Sequence, residues 1–346
     1  MNRSEYIQKV ANMRHLRAEC LRVSDLRIRS VLETALGEVE SILSLKKPGT
    51  VTYATYKARK ASINRALADI TRGVNLATRV SLRDVTERIS EEYRAVVVEY
   101  SASKGVTIDA DAAFNTVPVE VARNVTGRLW ADGRNFSDRI WQLGTGARDG
   151  VNKIISSGVV RGQSAVSMAK DLRNLLIEPA ITPEVSFTTK GVKSVSGRGT
   201  IHARALTLAR TEINNAYRET MVASAIKNPI VGCMKWHLSG SHPKPDICDV
   251  WATVDAYGLG EGCYPPASAP IDHPNGLCYT TEQLRPPAEW SKPKEEHARA
   301  PMPKSDVLRS LDGKGLKDGE INAAWKMWNS INKMVDKSKD QYGAAA

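Results

Sequence analysis

The chain has 346 residues, 42% of them apolar, and carries 49 Lys and Arg against 38 Asp and Glu, for a net charge of +11. That is enough chain for about two or three domains with a sizeable core. No apolar run approaches the ~20 residues a bilayer span needs, and residues 1–20 hold no apolar segment of signal-peptide type. The expectation is therefore a protein without a membrane partner, made and used in a cytoplasm or in something assembled there.

A pI near 9.4 calls for a polyanionic neighbour, nucleic acid above all. Yet no dense run of five or more basic residues appears, which argues against sequence-specific reading. Non-specific phosphate contact stays open. An excess spread thinly over solvated helix faces is the plainer account.

Residues 1–100 read as helical. From Ser24, a plausible N-cap, Val31, Leu32, Ala35, Val39, Ile42 and Leu43 follow three- and four-residue spacings. Lys46-Lys47-Pro48-Gly49 is a stop signal. Two further helices are expected at about Tyr53–Thr78 and Leu82–Ser101. Both are rich in charges of each sign, as solvated outer faces require.

Residues 106–180 continue mostly helical. Residues 135–141 look like the core-anchoring part of one helix, and Val151, Ile154 and Ile155 belong to the next. Gly158 and Gly162 bracket a turn. Met168, Leu172, Leu175 and Leu176 then mark an apolar face that ends before Pro179. Residues 181–200, rich in Ser, Thr and Gly, read as a loop or hairpin.

A long helix is expected from Ile201 to Lys227, closed by Asn228-Pro229. Its stripe of Ala205, Ala209, Ala216 and Ala223 permits close packing, and Glu212 stands inside that stripe. A carboxylate there costs free energy unless something pairs with it. A buried Glu tied to an Arg or to backbone donors is the favoured reading over catalysis.

Residues 230–238 read as a strand, with Met234, Trp236 and Leu238 on one face and Cys233 and His237 on the other. A turn-rich stretch to 280 follows. A Pro-rich charged linker and a last helix around Ile321–Val335, carrying Trp325 and Trp328, complete the chain. Those tryptophans would make a docking face if exposed, or would pack back on the body.

The fold class is thus mainly α, an extended helical N-terminal body with a small α+β module toward the C-terminus. The organisation is a helical region over 1–130, a module over 131–285, a linker over 286–304 and a helical tail over 305–346.

Of the five cysteines, Cys20 stands apart, while Cys233, Cys248, Cys263 and Cys278 cluster. Without an export signal, a metal or free thiols are better readings than disulfides. His273-Pro274-Asn275-Gly276 combines a fixed Pro backbone with an Asn-Gly pair suited to a tight turn. The His there can hydrogen-bond a neighbouring loop with no chemistry at all.

The order ALTLARTEINNAYRETMVAS, then KWHLSG and PDICDVWATVD, then YPPASAPIDHPNGLCYT resembles the phage head morphogenesis family, the Mu F-like minor head proteins. The matching positions are Ala209-Arg210-Thr211-Glu212, Trp236, Asp246 with Cys248, Pro265-Pro266, and His273-Pro274-Asn275 with Cys278. Arg139-Ile140-Trp141 and Val151–Ile155 fit the usual lead-in, so the resemblance covers about residues 135–285.

The resemblance implies a non-enzymatic, low-copy virion protein inside the head near the portal, acting in assembly or in DNA packaging and ejection. Portal, major capsid or scaffold proteins would be its partners, with non-specific contact to packaged DNA. Arg210, Glu212, Trp236, Asp246, Pro274 and Asn275 are its structural motif positions. Many members carry cysteines enough for a tetrahedral zinc; here Trp251 stands where one is expected. A structural zinc would then need Cys248, Cys263, His273 and Cys278, with His237 or Cys233 as substitutes.

The competing class is an enzyme. His237, His242, Asp246, His273 and Asn275 supply the residue types of a ββα-metal nuclease, though not its spacing.

Overall fold

In a computed structural model of the chain the described residues are 1–130, 132–177, 187–188, 191–192, 200–240, 242, 244–271, 273, 276, 278–295 and 297–343. The N-terminal body contains α1 (Arg3–Asn12), α2 (Arg14–Ile42), α3 (Tyr53–Ala102), α4 (Ala110–Phe114) and α5 (Val117–Gly127). After these come α6 (Phe136–Val160), α7 (Ala165–Leu176), the two-residue strands β1 (Phe187–Thr188) and β2 (Gly191–Val192), and α8 (Ile201–Lys227). The module adds β3 (Val231–His237), α9 (Ile247–Thr253), β4 (Cys263–Tyr264) and β5 (Tyr279–Leu284), and the chain closes with α10 (Lys304–Leu308) and α11 (Asp318–Gly343). The protein is mainly helical, with a small three-stranded antiparallel sheet ordered β4-β3-β5. Among the described residues no helix is long and apolar enough to cross a membrane.

Two boundaries differ from the sequence reading. Ser24 is a buried residue inside α2, not a cap, because helix-forming residues upstream extend that helix back to Arg14. The two helices expected after Tyr53 are one, the 50-residue α3, about 75 Å long at the helical rise. Residues 79–81 contain no Gly or Pro, and the Ser81 hydroxyl donates back to the Ala77 carbonyl within the helix.

Residues 135–160 likewise form one helix, opened by a capping box between Asn135 and Asp138. Phe136 and Ile140 anchor it in the core, whereas Trp141 is 65% exposed. Gly158 lies within α6 and Gly162, at φ +63°, makes the turn to α7. The α6–α3 approach is close enough that a methyl group on Gly144 would overlap the Thr71 hydroxyl.

Helix α8 spans the expected residues, N-capped by Thr200. It packs against α2, α3, α5 and α6. Its alanines at 205, 209, 216 and 223 are buried, which lets these helices approach closely.

The tail packs back on the body. Trp328 is buried and Trp325 half-buried, so neither supplies the open docking face. The Pro-rich stretch is also anchored. Trp290 is buried against the Tyr100 ring at 5.7 Å, and the Lys294 ammonium donates to the Ala225 and Ile226 carbonyls that end α8.

Candidate functional site

The module is built around β3. Trp236 is buried beneath it, edge-on to Trp251 of α9 at 4.9 Å, with the Arg218 guanidinium 5.6 Å from its ring centre. The Tyr264 hydroxyl donates to the Trp251 carbonyl at 2.9 Å and joins α9 to β4. Gly262 makes that join: its φ is +70°, and a Cβ there would sit 2.6 Å from the Ala252 carbonyl oxygen.

Helix α8 grips the closing segment from below. Asn214 Nδ2 donates to the Gly276 carbonyl at 2.8 Å, and Arg218 Nε donates to the Cys278 carbonyl at 3.0 Å. Asn214 and Arg218 are four residues apart, hence on one helical face. That spacing was readable in the sequence. Their target was not.

A polar cluster lies above this grip. Asp246 caps α9 by accepting from the Cys248 amide at 2.7 Å, and Asp249 completes a capping box by accepting from the Asp246 amide at 2.8 Å. His273 Nε2 lies 3.3 Å from Asp246, and His242 Nε2 is 2.9 Å from Asp249. Lys314, from the tail, donates to the other Asp249 oxygen at 2.7 Å. The buried Cys278 thiol lies 3.9 Å from His242 Nδ1.

Burial alone would raise both carboxyls. For Asp246 it is outweighed by His273, the Cys248 amide and His242. For Asp249 it is outweighed by Lys314, the Asp246 amide and His242. Both groups are held below the usual Asp range and stay ionised.

The zinc set expected from sequence does not assemble as written. Cys263 sits on β4 opposite Lys235, hydrogen-bonded to Cys233. Burial, then the neighbouring Cys263, pushes the Cys233 thiol up to about 12, so these two behave as a buried thiol pair. Asp246 takes Cys263's place. Ligand atoms of Asp246, Cys248 and His273 lie within 4.8 Å of one another, as do those of His242, Asp246 and Asp249.

The second triple is already satisfied through Lys314 and a backbone amide. The first offers carboxylate, thiolate and imidazole, a chemically sound three-ligand zinc set. His237 is elsewhere, bonded to Thr281 at 2.7 Å and stacked on Tyr279. Pro274 and Asn275 lie outside the described residues.

Arg210 is exposed and does not meet Glu212, which is buried and faces Arg128 and Trp130 from the α5–α6 connection and Arg139 from the first turn of α6. Glu212 is buried, and the two arginines favour its charge from nearby without forming an ion pair with it among the described residues. Burial dominates those arginines and raises its carboxyl to about 7. Arg128 also pairs with Glu219, about two turns farther along α8.

Another buried carboxylate, Glu282, was not foreseen. Glu282 of β5 accepts from the Tyr93 hydroxyl at 2.5 Å and the Tyr6 hydroxyl at 2.8 Å, and Asn228 donates to both tyrosine oxygens. Burial raises it to about 7, against the pull of the tyrosines and Lys294. The β5 sequence, Tyr279–Leu284, has no apolar alternation to mark Glu282 as inward-facing, and its partners lie on α1 and α3, far away in sequence.

Comparison with family models, with curated proteins and with solved structures returns no match.

Proposed function

We propose that this chain is a minor head protein of a tailed bacteriophage, internal to the head near the portal, acting in head assembly or in packaging and ejection of DNA. The observation that supports this most is the convergence of separated motif segments on one packed unit. The helix carrying residues 209–212 holds the 276–278 segment through Asn214 and Arg218, Trp236 packs on Trp251, and Asp246 caps α9 beside His273. A module held by carbonyl grips and capping boxes is suited to a structural part, and an α3 of about 75 Å gives it reach toward a portal, capsid or scaffold partner. In this reading the Asp246–Cys248–His273 set closes the module, with or without a structural zinc.

Quantitative mass spectrometry of procapsids and virions assembled with this chain tests the proposal. The chain is expected in both at low copy, bound to portal. Its absence from both particles would overturn the reading.

The second reading is a metal-dependent nuclease, favoured by the gathering of His242, Asp246 and His273. Against it, Asp249 is already held by Lys314, and His237 points to Thr281. Plasmid cleavage with magnesium, manganese or zinc that vanishes in His273→Ala would establish the enzyme.

A further inference from the structure

The net charge is not spread evenly. The α2–α3 connection and the α6–α7 turn meet at one end of the helical body: Thr50 bridges to Ser164, and the Ala165 amide donates to the Gly49 carbonyl at 2.8 Å. Farther in, Tyr56 donates to Asn152, and Asn152 donates to Asn64, each at 2.9 Å.

From the first connection, Lys46, Lys47, Lys57, Arg59, Lys60 and Arg65 are all exposed, and residues 44–66 contain no carboxylate. From the second, Arg148, Lys153, Arg161, Lys170 and Arg173 are exposed beside only Asp149 and Asp171. The last turns of α2 add Glu38 and Glu40.

Most of those carboxylates are engaged. Glu40 is buried 3.9 Å from Lys46, Asp149 is 3.7 Å from Arg148, and Asp171 accepts from Gln163 at 2.7 Å. Apart from Lys46 and Arg148, these cations make no ion pair among the described residues. Elsewhere along α2 and α3 several arginines are matched within the chain, as in Arg27–Asp84, Arg83–Glu87 and Arg88–Glu19. The end is therefore charged and uncompensated, while the middle neutralises itself.

We infer that this end of the body, where the α2–α3 and α6–α7 connections meet, binds the phosphate backbone of duplex DNA. Lys57 to Arg65 spans about 12 Å along α3, the axial length of about three base pairs. A single strand would need a track of exposed rings, and these segments expose one, Tyr53. A protein partner would need an apolar centre, and only Val160 and Val166 stand out beside that tyrosine. Phosphate contacts carry no sequence information, so binding is general. The inference deepens the head reading by naming the face that meets DNA, yet it rests on the charge distribution and is tested without particles.

The test is fluorescence anisotropy of a labelled duplex with the full chain over a salt series. The triple variant Lys57→Glu, Arg59→Glu, Lys60→Glu is expected to bind at least about tenfold more weakly, with a log–log salt slope shallower by about 2 to 3. A control of equal charge change elsewhere, Arg22→Glu, Lys104→Glu, Arg123→Glu, is expected to stay within about threefold of wild type. Gln at 57, 59 and 60 should give a smaller loss in the same direction, which guards against misfolding of the reversed variant.

Equal losses in variant and control would overturn the assignment, as would a wild-type slope near zero. Displacement of the duplex by polyglutamate or anionic phospholipid vesicles at equal charge concentration would also overturn it in favour of another partner.

Discussion

Glu282→Gln isolates one buried charge. The carboxyl is raised from 4.5 to about 7 by burial, so the folded chain holds a proton that the unfolded chain releases. The folded state binds more protons between those values, and stability falls as pH rises through that window. At about 1.4 kcal/mol for each tenfold change in proton affinity, ionising Glu282 costs the fold about 3 kcal/mol above pH 7. Gln mimics the protonated acid: it has the same shape, one acceptor toward the tyrosines, and no charge.

Urea unfolding at pH 5 and pH 7.5 is the assay. Wild type and Glu282→Gln should lie close together at pH 5, and the variant should gain about 2 kcal/mol on wild type by pH 7.5. Lys294, lowered to about 8 by burial, keeps most of its charge across this range and does not imitate the effect. A variant that is less stable than wild type by the same margin at both values would refute the reasoning. It would mean that the Tyr6 and Tyr93 hydrogen bonds to a carboxylate matter more than the buried charge.

Four further outcomes are expected. Asp246→Asn should cost less than Asp246→Ala, which loses the α9 cap at about 1 kcal/mol; because Asp246 is held below its usual range, its contribution should be present above the ordinary Asp value and fade as acid protonates it. Arg218→Ala should cost about 2–4 kcal/mol by urea unfolding, since it releases the buried Cys278 carbonyl, with Arg218→Lys recovering part. EDTA should move the thermal midpoint by less than about 2 °C, because three ligands do not carry the fold as a four-ligand zinc does; loss of near-UV circular dichroism on chelation would contradict this. Gly144→Ala should cost about 1–3 kcal/mol by overpacking, and adding Thr71→Ala should recover most of it.

Local signals carried far along this chain. The helix over Ile201–Lys227 and the strand at Trp236 were legible because a 3.6-residue and a two-residue repeat leave their mark within short windows. The mainly helical class with a small sheet followed from the same patterns. The break expected between Thr78 and Leu82 does not occur, since residues 79–81 hold no Gly or Pro and the helix runs on as it packs against its neighbours.

The site was legible in part. Asp246, Cys248 and His273 could be named as residues of interest, because turn and cap chemistry is local. That Asp246 rather than Cys263 stands beside Cys248 depends on the sheet register that seats Cys263 by Cys233. Glu282 with Tyr6 and Tyr93 was not legible at all, and of the basic end only the carboxylate-free run over 44–66 was readable, not its meeting with residues 148–173. Each is assembled from segments about one hundred residues or more apart, and charge or hydrogen-bond complementarity at that range exists only once α1, α3, α6 and the sheet have packed. Composition alone set the net charge of +11; the tertiary structure decided that two basic segments, 46–65 and 148–173, meet at one end of the body.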